Sequence, residues 1–196
     1  MLPPAVERIA VLGAGYVGLT TACGLANVGN KVVAFDIDAQ KVRRMQAGDC
    51  PLLEPGMSGR LTLNLRAGRL RFTTDLADAV AESRMFFICV PTLPRPDGQA
   101  DVRLVQSVVA QIVELLRSPR QPTGETADVR PLIVIKSTVP PGTTDELARR
   151  HAGAAVDFAV NPEFLKEGTA VADFDRPDRV VIGVADEPSQ ARLRRV

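Results

Sequence analysis

The sequence predicts an α/β fold, a doubly wound, mostly parallel sheet with helices on both faces. Two observations predict it. Short apolar runs alternate with helical stretches along the whole chain. The runs are also near-continuously apolar, as strands buried on both faces must be, rather than alternating in polarity. At 196 residues, 45% hydrophobic and 24% charged, the chain can bury one sizeable core.

The elements follow in order. Arg8–Leu12 reads as the first strand, and Tyr16–Val28 as a small-residue-rich helix ended by Gly29. Lys31–Asp36 is the second strand; Ala39–Ala47 is a helix stopped by Gly48. Gly56–Arg66 carries Leu61 and Leu65 at helical spacing. Leu70–Thr73 is a short strand, and Met85–Val90 a buried one closed by Pro91. Asp101–Arg117 is the clearest amphipathic helix, with Val105, Val108, Val109, Ile112, Val113 and Leu116 on one face. Leu132–Lys136 is a strand, Thr143–Arg150 a helix, and Asp157–Val160 and Val180–Val184 are strands. Two loops interrupt the series: Pro91–Ala100, rich in proline, and Ser118–Arg130, whose polar composition reads as a solvated surface insertion.

Composition excludes several functions. The net charge is +1 without a basic block, which gives no footprint for nucleic acid or an anionic membrane. Aromatic residues make up 4% of the chain and tryptophan is absent, so base-stacking platforms are not expected. No apolar run approaches the roughly 18 residues of a membrane span. Cys23, Cys50 and Cys89 are odd in number and lack CxxC spacing, which argues against a disulfide framework or a metal site and for a reducing cytoplasm.

Gly13-Ala14-Gly15-Tyr16-Val17-Gly18 is a GxGxxG placed after a strand and at the start of a helix. Asp36 closes the second strand eighteen residues after Gly18. This is the Rossmann fingerprint, and each part has a task. Gly13 permits a tight turn, Gly15 lets backbone approach a pyrophosphate, and Gly18 lets the helix pack close to the sheet. The backbone from Gly13 through Tyr16 and Val17 to Gly18 presents helix N-terminal N–H groups to the phosphates. Asp36 accepts from the adenosine ribose and repels a 2′-phosphate, so NAD is the expected cofactor.

Three further stretches carry a family resemblance: Glu54-Pro55-Gly56; Lys136-Ser137-Thr138-Val139-Pro140-Pro141-Gly142-Thr143; and Asn161-Pro162-Glu163-Phe164-Leu165-Lys166-Glu167-Gly168 with Asp173-Phe174 and Pro177 to Gly183. With the fingerprint they resemble the UDP-glucose/GDP-mannose dehydrogenase family through nearly the whole chain. The resemblance implies NAD-dependent oxidation of a nucleotide-linked hexose at C6 by two successive hydride transfers, passing through an aldehyde and a cysteine-bound thioester to the acid. The expected substrate is UDP-glucose and the product UDP-glucuronate, with GDP-mannose the close alternative; the intact enzyme is expected to be a homodimer.

The resemblance also implies residue roles. Thr138 resembles the threonine that places the hydrolytic water near the cofactor, and Glu163 the glutamate assigned to acid/base work. A carboxylate suits that work once burial raises its proton affinity. Glu167 resembles a residue beside the nicotinamide, Lys41 a second adenosine-ribose contact, and Thr92 a contact to cofactor ribose or phosphate. The backbone of Phe164, Leu165, Lys166 and Glu167, beside Glu163, resembles the lining of the sugar-nucleotide site.

Plainer readings accompany these. Glu163 and Glu167, four apart, would form a solvated face on a helix, although Asn161-Pro162 argues for a turn or extended entry. Glu54 reads as a cap for the helix near Gly56, Thr138 as a strand-end threonine, His151 as a helix-end group in favourable contact with the dipole, and Arg192, Arg194 and Arg195 as a solvated helix face or chain end. The family's catalytic cysteine and sugar-binding lysine and asparagine belong to later segments, and none of the three cysteines here fits. Residues 1–196 are therefore expected to be an NAD-binding domain, with the central helix and the carboxyl-terminal sugar-nucleotide domain outside it. A nucleotide-binding fragment without activity of its own and a different Rossmann dehydrogenase, such as a hydroxyacid enzyme, are the other readings.

Overall fold

A computed structural model describes residues 6–117 and 129–196. The predicted Ser118–Arg130 loop lies, but for its last two residues, outside the described residues. The elements are β1 (Arg8–Leu12), α1 (Tyr16–Asn27), β2 (Lys31–Phe35), α2 (Ala39–Gln46), α3 (Met57–Arg66), β3 (Leu70–Thr73), α4 (Leu76–Ala81), β4 (Met85–Ile88), α5 (Arg103–Arg117), β5 (Leu132–Ile135), α6 (Thr143–Arg150), β6 (Asp157–Val160), α7 (Ala170–Asp175), β7 (Gly183–Val184) and α8 (Glu187–Leu193).

The sheet runs β3-β2-β1-β4-β5-β6-β7. Every pairing is parallel except β6 with β7. The order reverses between β1 and β4, and in open α/β sheets a ligand binds outside the carboxyl ends of the strands at that point. Strand parity divides the core into two layers. Ile9, Val11, Phe87, Leu132 and Val134 face α1, α2 and α3, against which α7 and α8 also pack. Ala10, Leu12, Phe86, Ile133 and Ile135 face α4, α5 and α6. The apolar stripe predicted for α5 is buried in the second layer.

The structure departs from the expected elements at several places. The Val180–Val184 strand shrinks to Gly183–Val184, running antiparallel, and Val180 and Val181 are exposed. Three short helices were not foreseen. Asp75 caps α4 with bonds to the amides of Ala77 and Asp78, and Asp186 caps α8 by accepting from Ser189. The third, α7, has no side-chain cap of its own.

Arg192 is not solvated. From α8 its guanidinium pairs with both oxygens of the buried Glu7, at 3.1 and 3.0 Å, and donates to the carbonyls of Arg130 and Arg84. Arg195 adds a weaker contact to Glu7 at 3.6 Å. His151 does sit at the end of α6, but its ring stacks on Phe158. Burial, then Arg117 and Arg150, push its proton affinity down, which works against a charged imidazole at the helix end.

Candidate functional site

The turn after β1 is built for close approach. Gly13 has φ 94°, and its amide donates to the Phe35 carbonyl at 2.8 Å. A Cβ there would lie 2.8 Å from the carbonyl oxygen of Cys89, just past β4, so the turn sits at the switch point. A Cβ on Gly18 would lie 1.7 Å from the Gly13 carbonyl oxygen, and only glycine lets α1 begin this near the strand. At Gly15, by contrast, nothing lies within 4 Å of a Cβ, and no side chain caps α1. An uncapped helix start facing open space is an anion site. This cradle fits a dinucleotide pyrophosphate.

Asp36 follows β2. Its Oδ2 accepts from Lys41 Nζ at 2.6 Å and from the Ala14 amide at 2.9 Å, and its Oδ1 accepts from the Asp38 amide at 3.1 Å. Burial opposes its charge, yet the bonds from Lys41, Asp38 and Ala14 outweigh burial and hold the carboxyl below its ordinary range. The structure thus brings Asp36 and Lys41 together and adds an unforeseen task, since Asp36 braces the glycine turn itself.

The carboxyl ends of β4, β5 and β6 supply the remaining candidates. The Thr92 hydroxyl donates to the Thr138 carbonyl at 2.7 Å, and the Ser137 hydroxyl to the Val90 carbonyl at 2.6 Å, which stitches the loops after β4 and β5 together. Thr138 is exposed. Asn161–Lys166 is not helical, as Asn-Pro implied, and Glu163 turns its carboxylate back to the Leu165 amide at 2.7 Å. Glu167 is exposed, and the Arg179 guanidinium lies 4.9 Å from the centre of the half-exposed Phe164 ring. A cavity of about 1030 Å³ opens on the α1 side of β5 and β6. It takes in Glu163, Phe164, Leu165 and Lys166, whereas the glycine turn, Asp36, Thr92, Thr138 and Glu167 lie outside its lining.

The structure gives three residues in this region tasks that sequence reasoning did not assign them. Lys136 is buried, and its ammonium donates to Asn161 Oδ1 at 3.1 Å; the Asn161 amide in turn donates to the Val181 carbonyl. Burial lowers its proton affinity, against the pull of Cys89 and Glu163. Strand parity could have found it, since Leu132, Val134 and Lys136 share a face. Tyr16 and Glu54 are the others: the phenol donates to Glu54 Oε1 at 2.6 Å and lies 2.9 Å from the Lys166 carbonyl. Glu54 does not cap α3, whose N-cap Gly56 has no side-chain bond. Its carboxylate instead accepts from the amides of Gly168 and Ala170, more than a hundred residues away in sequence.

No cysteine here is an activated thiol. Burial pushes Cys23 and Cys89 up to about 12, and it raises Cys50, which lies beside Leu52. Among the described residues no cluster of three or more histidine, cysteine or acidic side chains could hold a metal, and no helix is long and apolar enough to cross a membrane.

The strand order, the cradle at the switch point and the acidic residue after β2 define a dinucleotide-binding domain of the doubly wound class. The chain belongs to the UDP-glucose/GDP-mannose dehydrogenase family, whose NAD-binding-domain model matches residues 7–196. It is 42% identical to UDP-glucose 6-dehydrogenase of Pseudomonas aeruginosa, over 96% of this chain and 41% of that protein. Its fold superposes on a UDP-glucose dehydrogenase of Pyrobaculum islandicum with a TM-score of 0.88 at 39% identity, covering 100% of this chain and 45% of that one. It superposes on a GDP-mannose dehydrogenase of Pseudomonas aeruginosa with a TM-score of 0.85 at 33% identity, covering 95% and 43%. The chain therefore spans less than half the length of these relatives.

Proposed function

We propose that this chain is the NAD-binding part of a nucleotide-sugar 6-dehydrogenase that oxidises UDP-glucose to UDP-glucuronate. The observation that carries this reading is the juxtaposition of the dinucleotide turn and the Asn161–Gly168 segment, with the Tyr16 phenol on the turn bonded across to the segment's brace and carbonyl. In this reading residues 1–196 form one cofactor domain. Gly13, Gly15, Tyr16, Val17 and Gly18 hold the pyrophosphate through backbone N–H groups, and Asp36 with Lys41 holds the adenosine ribose. Thr92 reaches the cofactor's ribose or phosphate, and Glu167 lies beside the nicotinamide. Bound NAD supplies the hydride acceptor. Thr138 places the water near the cofactor, Glu163 moves the proton, and the backbone of Phe164, Leu165, Lys166 and Glu167 lines the sugar-nucleotide site.

None of the three cysteines is placed for the thioester step, so we assign the nucleophile to the part of the family that this chain does not span. That part would also complete the cleft and the homodimer. The three free thiols suit a reducing cytoplasm. In support of UDP-glucose over GDP-mannose, the chain is 42% identical to a UDP-glucose 6-dehydrogenase and 36% identical to GDP-mannose 6-dehydrogenases.

The test is calorimetric titration of the chain with NAD and NADP, followed by UDP-glucose, GDP-mannose and UDP-N-acetylhexosamines at saturating NAD, with NADH absorbance recorded in the same samples. NAD is expected to bind in preference to NADP, UDP-glucose to bind best among the sugars, and no NADH to form. Failure to bind NAD would overturn the site, and tighter binding of GDP-mannose would move the substrate. NADH formation would place the whole machinery inside these residues and return Cys50 to consideration.

A further inference from the structure

Glu54 is a buried carboxylate with three donors and, among the described residues, no counter-cation on it. Its Oε1 accepts from the Tyr16 phenol at 2.6 Å and the Gly168 amide at 2.5 Å, and its Oε2 from the Ala170 amide at 3.1 Å. These donors belong to distant parts of the chain. Tyr16 is the first residue of α1, on the dinucleotide turn. Gly168 and Ala170 close the Asn161–Gly168 segment and open α7. That helix has no side-chain cap of its own, so Glu54 supplies from outside the acceptor its first amide needs.

The rest of α7 is fixed independently of Glu54. Phe174 packs against Gly24 of α1, where a Cβ would come within 2.2 Å of the ring, and Asp175 forms a two-bond pair with Arg60 of α3. Asp173 accepts from the Lys166 amide and the Thr169 hydroxyl, both at 2.9 Å. The helix body is thus anchored, and what Glu54 and Tyr16 control is the stretch leading into it. The phenol proton lies between two acceptors, Glu54 Oε1 and the Lys166 carbonyl, and the charged, nearer one takes the larger share.

We propose that Glu54 is a positioning residue that, through Tyr16, holds the Phe164–Gly168 backbone in register with the dinucleotide turn, so that occupation of the turn by NAD tightens the segment that receives the nucleotide sugar. The proposal rests on the reading of the site given above. The link is specific to a carboxylate. A glutamine would present an amide N–H₂ to at least one of the three donors: to Ala170 when its oxygen stays with Tyr16 and Gly168, or to Tyr16 and Gly168 when it faces Ala170.

Residue-resolved amide hydrogen exchange tests it, with and without saturating NAD, on the native chain, Glu54→Gln and Tyr16→Phe. In the nucleotide-free chain at least one of the Gly168 and Ala170 amides should exchange about tenfold faster in Glu54→Gln than in the native chain, on the order expected when a hydrogen bond to a charged acceptor is lost. In Tyr16→Phe, where Glu54 still accepts from both amides, the same exchange should stay near native. Saturating NAD should slow Lys166–Ala170 exchange severalfold in the native chain and leave it unchanged in Tyr16→Phe. A merely structural brace would not produce that last difference.

Equal exchange at Gly168 and Ala170 in the native chain and Glu54→Gln would overturn the brace. An NAD-dependent slowing that survives in Tyr16→Phe would overturn the link. If Glu54→Gln fails to fold, the Tyr16→Phe comparison decides alone. If NAD does not bind the native chain, the functional reading falls and takes the link with it, while the nucleotide-free exchange still decides whether Glu54 holds the segment.

Discussion

Replacing Asp36 by asparagine separates the two tasks of that carboxylate. A carboxylate has about four acceptor positions. Three are filled in the ligand-free chain: both on Oδ2, by Lys41 and Ala14, and one on Oδ1, by Asp38. The remaining Oδ1 position is the one open to a ribose hydroxyl. An asparagine keeps one carbonyl oxygen, which can still serve the Ala14 amide, but places an N–H₂ at the other position, where neither a ribose hydroxyl nor the Asp38 amide can donate. The loss is one hydrogen bond to a charged group, about 1.5–3 kcal/mol, or roughly ten- to a hundredfold in the Kd for NAD. The Asp36–Lys41 pair is partly exposed, at 12% and 28% of the side chains, so its loss should cost fold stability only about 1 kcal/mol or less. Lys41 is then left without its anion, and NADP should gain on NAD. Calorimetric titration of both cofactors, with a thermal melt of the same samples, measures all three effects. An NAD affinity within twofold of native, with an unchanged melt, would show that the ribose contact lies elsewhere.

The other predictions concern packing, pH and thiols. Gly24→Ala drives a Cβ to 2.2 Å from the Phe174 ring; overpacking of about 1–3 kcal/mol, less the roughly 1 kcal/mol that alanine gains in a helix, should lower the melting temperature by a few degrees, and an unchanged or higher value would show that α7 is not seated there. The Asp36 carboxyl is held below its ordinary value, so its stabilisation is complete above about pH 4 and is lost as pH falls through the depressed value; NAD affinity should be level from about pH 8 to about pH 5 and weaken only in stronger acid, and a midpoint near neutrality would mean that another group titrates in the site. Maleimide at neutral pH should label Cys50 first and slowly, with Cys23 and Cys89 reacting only on unfolding; rapid labelling of any of the three would contradict the burial that raises them.

Five of the first six strands were legible because each is a largely apolar run, β3 because Leu70 and Phe72 alternate with Arg71 and Thr73, and α5 because its apolar positions recur at helical spacing. The glycine turn was legible because its conformation demands particular residues at particular offsets. What escaped has a common physical origin. The short helices α4, α7 and α8 are held by caps and tertiary contacts rather than by periodicity, which needs more than six or seven residues to show. Val180 and Val181 read as strand because β-branched residues favour it, but no neighbouring strand pairs with them, so propensity lost to topology. Glu54 and Arg192 were misread for one reason: each finds decisive partners more than a hundred residues away, Glu54 at Gly168 and Ala170 and Arg192 at Glu7, where local patterns carry no information.

The long-range contacts also explain how the candidate site can be shaped before any ligand arrives. A turn with an uncapped helix start and open space at Gly15 has no side chain of its own to hold it. Asp36 bonds to Ala14 on one flank, and Tyr16 ties the other flank to Glu54. Gly13 and Gly18 remove the side chains that would force the turn and helix apart. A ligand meeting this turn would find its backbone donors already oriented and would lose less in ordering them. The same economy has a consequence for mutagenesis. Asp36 and Tyr16 are structural braces and candidate ligand groups at once, so truncation to alanine would mix a lost contact with a loosened turn. Asparagine at 36 keeps an acceptor for the Ala14 amide and so separates recognition of the cofactor from the geometry that permits it, whereas phenylalanine at 16 keeps the backbone N–H and removes only the phenol's ties to Glu54 and the Lys166 carbonyl.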